Sequence, residues 1–344
     1  MNTFSSFLRE NWERCGLQQF GAPEQLTCVI LTPRFRTSTH VLFIALPEGL
    51  PDPVLVAKVP RLSGPARNLW REAANLRAIQ ARRPNGFDST PRVLAFEMYR
   101  GRSILVETAL VGLPLNPAAL RADPDQWCQS ILSWLFALQL PAHTSSAVDS
   151  AWYERLVEKP LRRLEEGLSP CGEEKLLLER TGEIVAALRR VDLPLVFEHG
   201  DLSHPNLISL GNGRVGVVDW ELADPIGLPA CDLFLFLTYA AFARHKARST
   251  EACLKAFQAA FFNPAAWAGV YAEAYAVRLK LTTEILKALF VAVWVRYLAN
   301  LVCRISFRNE RGGPLEGHSA SWLRQNRYYA LWRYSIEHHA ELEW

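Results

Sequence analysis

The chain opens with apolar residues at helical spacing, Phe4, Phe7, Leu8 and Trp12, which predicts a short amphipathic helix. Two strand-like runs follow, Leu26–Leu31 and His40–Leu46, joined by the polar hairpin-type stretch 32–39. Val54–Val59 reads as a third strand, interrupted by Lys58. Leu69, Ala73, Leu76 and Ile79 then mark one face of a helix over about 65–81. Arg92–Glu97 and Ser103–Glu107 return to strand. The pattern predicts an antiparallel five-stranded sheet with one helix.

Beyond Gly112-Leu113-Pro114 the periodicity turns helical, over 124–140, 151–168 and 173–191, the last two separated by Ser169-Pro170-Cys171-Gly172. A β-type interlude occupies 195–219 around the turn Gly211-Asn212-Gly213, and helices resume from Asp232 onward. The expected class is therefore α+β: a β-rich N-lobe over 1–107 and a mainly helical C-lobe over 108–344 that carries a β insert. The most apolar stretch, Ala288–Cys303, is 16 residues long and holds Arg296 and Asn300 four apart on one helical face. A membrane span needs about 20 apolar residues, so a buried helix is expected there and no membrane span.

Composition narrows the class. Of 344 residues, 49% are hydrophobic and 21% charged, a globular rather than a disordered balance. A net charge of +3, with no basic run interleaved with aromatics, gives no footprint for nucleic acid. The 7 cysteines form no CxxC pair, which predicts free thiols in a reducing compartment. The first residues lack the charged and apolar regions of a signal peptide, so a cytoplasmic location is expected.

Candidate chemistry sits in two segments. His199-Gly200-Asp201-Leu202-Ser203-His204-Pro205-Asn206 follows the apolar run Leu195–Phe197, and Asp219-Trp220-Glu221 follows Val215–Val218. If those two runs form a hairpin, Asp201, Asn206 and Asp219 come to one end of the insert. Phosphoryl transfer uses such a set: one carboxylate orients the attacking hydroxyl, while an amide and a second carboxylate hold Mg²⁺ against the phosphates. Turn chemistry, which favours Asn, Asp and Gly, is the competing explanation. Upstream, Lys58 inside an apolar strand calls for a partner or a ligand, unless it snorkels from an edge. Glu221 and Asp224 read equally as metal or substrate contacts and as solvated loop. Trp322, Tyr328, Tyr329, Trp332 and Tyr334 read as a pocket wall or as a terminal helix packed on the core.

These segments resemble the aminoglycoside phosphotransferase and choline kinase-like family, relatives of the protein kinases. HGDLSHPN is similar to the family's catalytic loop and VVDWE to its metal-binding strand end. Gly227-Leu228-Pro229-Ala230-Cys231-Asp232-Leu233 is similar to its G-x-P-x-x-D-L element. The resemblance implies a protein-kinase-like bilobal fold, ATP and Mg²⁺ as cofactors, and a small-molecule hydroxyl as acceptor. It implies Asp201 as catalytic base, Ser203 close to the transferring phosphate, Asn206 and Asp219 as Mg²⁺ ligands, and Asp232 as a brace for the loop. It makes Glu72 the partner of Lys58 at the α- and β-phosphates. Glu107-Thr108-Ala109 becomes a hinge whose backbone groups meet adenine.

The stretch 32–39 departs from the protein kinases in having no glycine. Hydroxyls of Thr37, Ser38 and Thr39, with Arg34 and Arg36, are its candidate phosphate contacts. That departure favours a small-molecule kinase over a protein kinase, and it is the one feature that would suit a non-catalytic, nucleotide-binding pseudokinase. An aminoglycoside-type antibiotic kinase is a further alternative. After Asp232, however, the chain carries 14 Lys and Arg against 8 Glu and no Asp. A field of that sign repels a polycation and suits a neutral or anionic metabolite such as a sugar.

Overall fold

In the computed structural model, which describes residues 3–32, 40–61, 66–83, 87–148, 151–263, 266–309, 319–342 and 344, both helical and strand periodicities are realised. The strands are β1 (Leu26–Leu31), β2 (His40–Pro47), β3 (Leu55–Pro60), β4 (Val93–Tyr99), β5 (Arg102–Thr108) and β6 (Leu113–Pro114). Five further ones follow: β7 (His143–Thr144), β8 (Pro194–Glu198), β9 (Leu207–Ser209), β10 (Val215–Val217) and β11 (Asp224–Gly227). Helices α1 (Thr3–Asn11) and α2 (Arg67–Arg82) accompany the first strands. The later helices are α3 (Pro117–Ala122), α4 (Pro124–Gln139), α5 (Lys159–Leu168), α6 (Glu173–Val185), α7 (Cys231–Arg244) and α8 (Thr250–Phe261). The chain ends in α9 (Gly269–Leu279), α10 (Thr283–Asn309), α11 (Ser319–Gln325) and α12 (Arg327–Glu337).

The chain forms two compact units. The first is Met1–Leu115 with Pro205–Pro225, and the second is Asn116–His204 with Ile226–Trp344. The lobe division expected at residue 107 left the whole β insert with the second lobe, whereas 205–225 packs with the first unit. Its β10-β9-β6 sheet explains why, since Leu113 and Pro114 pair with Ser209 and Ile208.

In the first unit the five strands run antiparallel in the order β1-β2-β3-β5-β4. Side chains alternate across a strand, and the two faces have different covers. On one, Phe43, Ala45, Leu55, Ala57, Val59, Ile104 and Val106 pack with Phe4, Phe7, Leu8 and Trp12 of the α1 region. On the other, Leu105 packs with Leu69 and Ala73 of α2. Lys58 pairs with Leu42 and Leu105, Pro60 with His40, and Val56 with Glu107. The period of two therefore places His40, Lys58 and Glu107 on the α2 face.

The second unit is mostly helical, with β7 and β8 antiparallel and Ile226–Gly227 of β11 completing a small sheet. Asn116 and Asp123 accept from the first free N–H groups of α3 and α4, each followed by proline, so the chain restarts its helix there. The expected helix over 151–168 begins with a π turn at Glu154–Glu158, and that over 173–191 ends in a 3₁₀ turn at Ala186–Arg190. Within α10, Thr283–Arg304 is long and apolar enough to cross a membrane by composition, yet 67% of it is buried inside the protein. It is a core helix, in contact with α5, α7 and α12.

One expectation is corrected. Leu195–Phe197 and Val215–Val218 do not pair with each other: β8 joins β7, and β10 joins β9 through Leu207↔Val217 and Ser209↔Val215. The hairpin is 207–217, because the chain turns away after β8 at Gly200, whose φ of +81° suits glycine.

The sheet of the first unit depends on its α1 cover. Phe7, fully buried and edge-on to Tyr99 at 5.5 Å, is the position to test. Phe7→Ala is expected to cost about 3–5 kcal/mol, read as a lowered urea midpoint of that unit; an unchanged midpoint would mean that α1 is not part of its core.

Candidate active site

Lys58 lies mid-strand in β3 and is only 5% exposed; its ammonium bonds to Glu72 of α2, which is fully buried. Burial works against a charged lysine, but Glu107, Glu72 and Asp219 outweigh it and hold Lys58 protonated well above its ordinary range. Glu72 Oε1 also accepts the Trp220 N–H at 3.0 Å. One turn further along the same helix face, the Asn75 side-chain amide donates to the carbonyls of Trp220 and Ala223, both at 3.0 Å. Helix α2 thus clamps the segment that directly follows Asp219.

Asp219 owes its place to the hairpin. Leu207 opposes Val217, so the residues just outside this last pair face each other, and the Val218 N–H donates to the Asn206 carbonyl at 3.0 Å. Asn206 and Asp219 therefore stand at the open end of one hairpin. Asp219 adopts a left-handed backbone, φ +68°, uncommon for a side-chain-bearing residue. Its Oδ1, together with Glu72 Oε2 and Glu107 Oε1, is buried and accepts no hydrogen bond among the described residues. Glu107 is pushed up to about 8 by burial, against Lys58, with Glu72 and Asp219 adding to the rise. His40 is pushed down to about 4 by burial and by Lys58, against the pull of Asp219. The first unit thus gathers one buried cation and three carboxyl groups with unused oxygens, and of these Asp219 Oδ1, at the open end of the hairpin, is an oxygen of the kind a hard cation takes.

In the second unit the loop after β8 is held by its backbone. The Asp232 carboxylate accepts the N–H groups of His199 and Gly200, at 2.7 and 2.9 Å. This is the bracing role that the resemblance implied for it. His199 is fully buried, and its Nδ1 accepts the Asp201 N–H at 3.3 Å; Ser203 N–H closes the turn on the Asp201 carbonyl at 2.8 Å. Asp201 itself is half-buried, and Ser203 is buried. The Asp201 charge acts on the phenols of Tyr239 and Tyr297, and the Tyr239 and Tyr328 hydroxyls lie 2.6 Å apart.

The expected site residues therefore divide. Lys58, Glu72, Glu107, Asn206 and Asp219 belong to the first unit; Asp201, Ser203 and Asp232 belong to the second. Thr37, Ser38, Thr39, Arg34 and Arg36 lie outside the described residues. At the expected hinge, the Glu107 side chain turns inward toward Lys58, and the Ala109 N–H donates to the Val54 carbonyl at 3.0 Å. What Ala109 retains for a ligand is its carbonyl. Sequence reading missed Asn75, whose signal was a second polar residue three positions after Glu72 on a buried helix face. It also missed His40, Glu198, Tyr239 and Tyr297, for which spacing carries no signal, whereas Tyr328 stood in the aromatic set read as a pocket wall or a packed terminal helix.

A model of the phosphotransferase enzyme family matches residues 42–272 of the chain. No curated protein matches the sequence significantly. Among solved structures, the choline kinase LicA from Streptococcus pneumoniae superposes with a TM-score of 0.54 at 12% identity, over 96% of this chain and 99% of that one. An ethanolamine kinase from Plasmodium vivax gives 0.56 at 12% identity, over 96% and 89% of the two chains. The aminoglycoside phosphotransferase APH(4)-Ia, solved with ADP and hygromycin B, gives 0.52 at 13% identity, over 94% and 98%. At such identities the likeness is one of fold, and that fold is protein-kinase-like. With the family match reaching from β2 into α9, across both motif segments, the chain belongs to the phosphotransferase enzyme family.

Proposed function

We propose that this phosphotransferase is an ATP- and Mg²⁺-dependent kinase that moves the γ-phosphoryl group to a hydroxyl of a neutral or anionic small molecule. The observation that carries the reading is the first unit's buried cluster, Lys58 bonded to Glu72 with Asp219 beside them. A buried ammonium with surplus carboxylates around it suits a ligand that brings both negative phosphates and a divalent cation. The solved structure of APH(4)-Ia with ADP agrees with an adenine nucleotide as donor.

Each residue then has a task. Lys58, held in place by Glu72, meets the α- and β-phosphates. Asp219, through its unpartnered Oδ1, and Asn206, through its side-chain oxygen, would hold Mg²⁺. Among the described residues no three His, Cys, Asp or Glu side chains form a ready-made metal cage. Two protein oxygens suffice for Mg²⁺, because phosphate and water fill the rest of its sphere. When bound, the ion supplies charge neutralisation at the phosphate oxygens. Asp201, five residues before Asn206 in the chain, orients the acceptor hydroxyl and takes its proton, with Ser203 close to the phosphate in transit. The carbonyl of Ala109, beside Glu107, is the hinge group available to adenine, and Thr37 and Ser38 would add hydroxyls at the phosphates.

Support for the acceptor class comes from the groups that the Asp201 charge influences. Its charge reaches phenols, those of Tyr239 and Tyr297, and Arg327 acts on Tyr239 in turn. Phenols offer hydroxyl partners to hydroxyl-rich compounds, and a guanidinium suits a neutral or anionic one better than a polycation.

Three outcomes are expected. Asp201→Ala lowers phosphoryl transfer by roughly 10²–10⁴-fold with ATP binding retained; a variant that keeps more than about a tenth of the turnover would remove Asp201 from the role of base. Lys58→Ala and Glu72→Ala both raise the KM for ATP or lower kcat, and the double variant loses less than the sum of the two. Strict additivity would show that they do not act as a pair, and a wild-type protein that binds ATP without Mg²⁺-dependent turnover would favour the pseudokinase reading. In a screen with labelled ATP, sugars and related metabolites are phosphorylated and kanamycin is not; saturable kanamycin phosphorylation at micromolar concentration would overturn the acceptor class.

A further inference from the structure

Arg296 stands inside the most apolar stretch of the chain, in α10, with its side chain 18% exposed. Its Nη1 donates to both carboxylate oxygens of Glu198, each at 2.7 Å, and lies 3.3 Å from Cys231 Sγ. The positions of those partners matter. Glu198 is the last residue of β8, directly before His199; Cys231 is the first residue of α7, directly before Asp232. Asp232 in turn grips the N–H groups of His199 and Gly200. One guanidinium therefore ties together the strand end that enters the loop and the helix start that holds it.

The seat of the pair is built as well. Glu198 Oε2 also accepts the Leu228 N–H at 3.1 Å. A Cβ added to Gly227 would lie 2.3 Å from that oxygen and 2.4 Å from the Glu198 Cβ, so a side chain at 227 would force the carboxylate out of place. As a source of stability such a buried pair is poor, because desolvation offsets much of the Coulomb gain and an apolar pair serves as well. A charge kept inside an apolar helix, bonded at the entrance of a loop, has a directional use.

We propose that Arg296 and Glu198, seated by Gly227, are positioning residues: together they set the angle at which the chain leaves β8 and so the place of Asp201. The proposal rests on the reading of Asp201 as the base. Electrostatics gives it an independent readout. Asp232 is pushed up to about 7 by burial and by the Glu198 charge, against its two N–H donors and Arg296. The ionisable groups facing it are Glu198 from β8, Arg296 from α10, Tyr275 from α9 and Cys231 on its own helix. Since only the ionised carboxylate accepts both N–H groups, they report its ionisation as pH rises through this value. Neutralising Glu198 removes a charge that opposes this ionisation, so the midpoint must fall.

The test uses the full chain, ¹⁵N-labelled, with the His199 and Gly200 amide shifts followed against pH, and ATP turnover measured with Mg²⁺ and water as acceptor. Glu198→Gln is expected to move the amide midpoint below that of the wild type and to lower kcat by roughly 10–100-fold, with the KM for ATP nearly unchanged. Arg296→Lys, which keeps the cation, recovers most of the rate relative to Arg296→Met. The paired replacement Glu198→Gln with Arg296→Met recovers the thermal midpoint but not kcat. Full recovery of both in the paired variant, or an unmoved amide midpoint in Glu198→Gln, would overturn the proposal and leave the pair as packing. Asp201→Asn, run alongside, separates the two readings. If it turns ATP over at the wild-type rate, Asp201 is not the base, and the amide titration still decides whether the pair places the loop.

Discussion

A buried ammonium is the constraint around which the first unit is arranged. Lys58 is taken almost wholly out of water, and an isolated charge so placed costs many kcal/mol unless it is paired. The pairing demands Glu72, which demands that α2 lie on the Lys58 face of the sheet, where Leu69 and Ala73 pack on Leu105. Glu72 has a second lone pair to satisfy and takes it from Trp220, while Asn75 binds the carbonyls on either side of the same turn. The position of Asp219 is thus inherited from the lysine. The cluster is also overdrawn in negative charge, which leaves buried carboxyl oxygens for a ligand to use.

The second unit meets its own constraint with the charges reversed. There a buried carboxylate, Asp232, is stabilised by two backbone N–H groups, and those two groups belong to the loop that carries Asp201. The loop is gripped here by its backbone, and the glycines follow from that. Gly200 supplies the left-handed turn between the two gripped amides and the aspartate, while Gly227 leaves room for the Glu198 carboxylate. Both units hold candidate functional side chains with buried polar networks whose members are mutually dependent.

Family membership makes the chain a phosphotransferase and does not choose its acceptor. Solved structures of the same fold include a choline kinase, an ethanolamine kinase and an enzyme bound to hygromycin B, so the fold accommodates unlike acceptors. The acceptor side proposed for this chain draws on Tyr239, Tyr297, Tyr328 and Arg327, residues outside every motif that marks the family.

Much of this was readable in the chain alone. The alternation of the first hundred residues and the helical spacing after them determined the α+β class, and most element bounds fell within two residues. HGDLSHPN, VVDWE and a lysine in an apolar strand marked the candidate site, because those side chains are costly where the pattern puts them and only a ligand or partner offsets that cost. Other features were decided by tertiary structure. Which strands pair in the insert depended on β9, three residues too short to show a period, so Leu195–Phe197 was paired with the wrong partner. That 205–225 packs with the first unit followed from its pairing with Leu113–Pro114, a contact some 95 residues distant in sequence. Arg296 looked only like an interruption of an apolar helix until its partner, 98 residues away, was placed beside it. Sequence records which residues bear charge and at what period; whether two buried charges meet depends on the packing of elements remote along the chain, and no local pattern carries that.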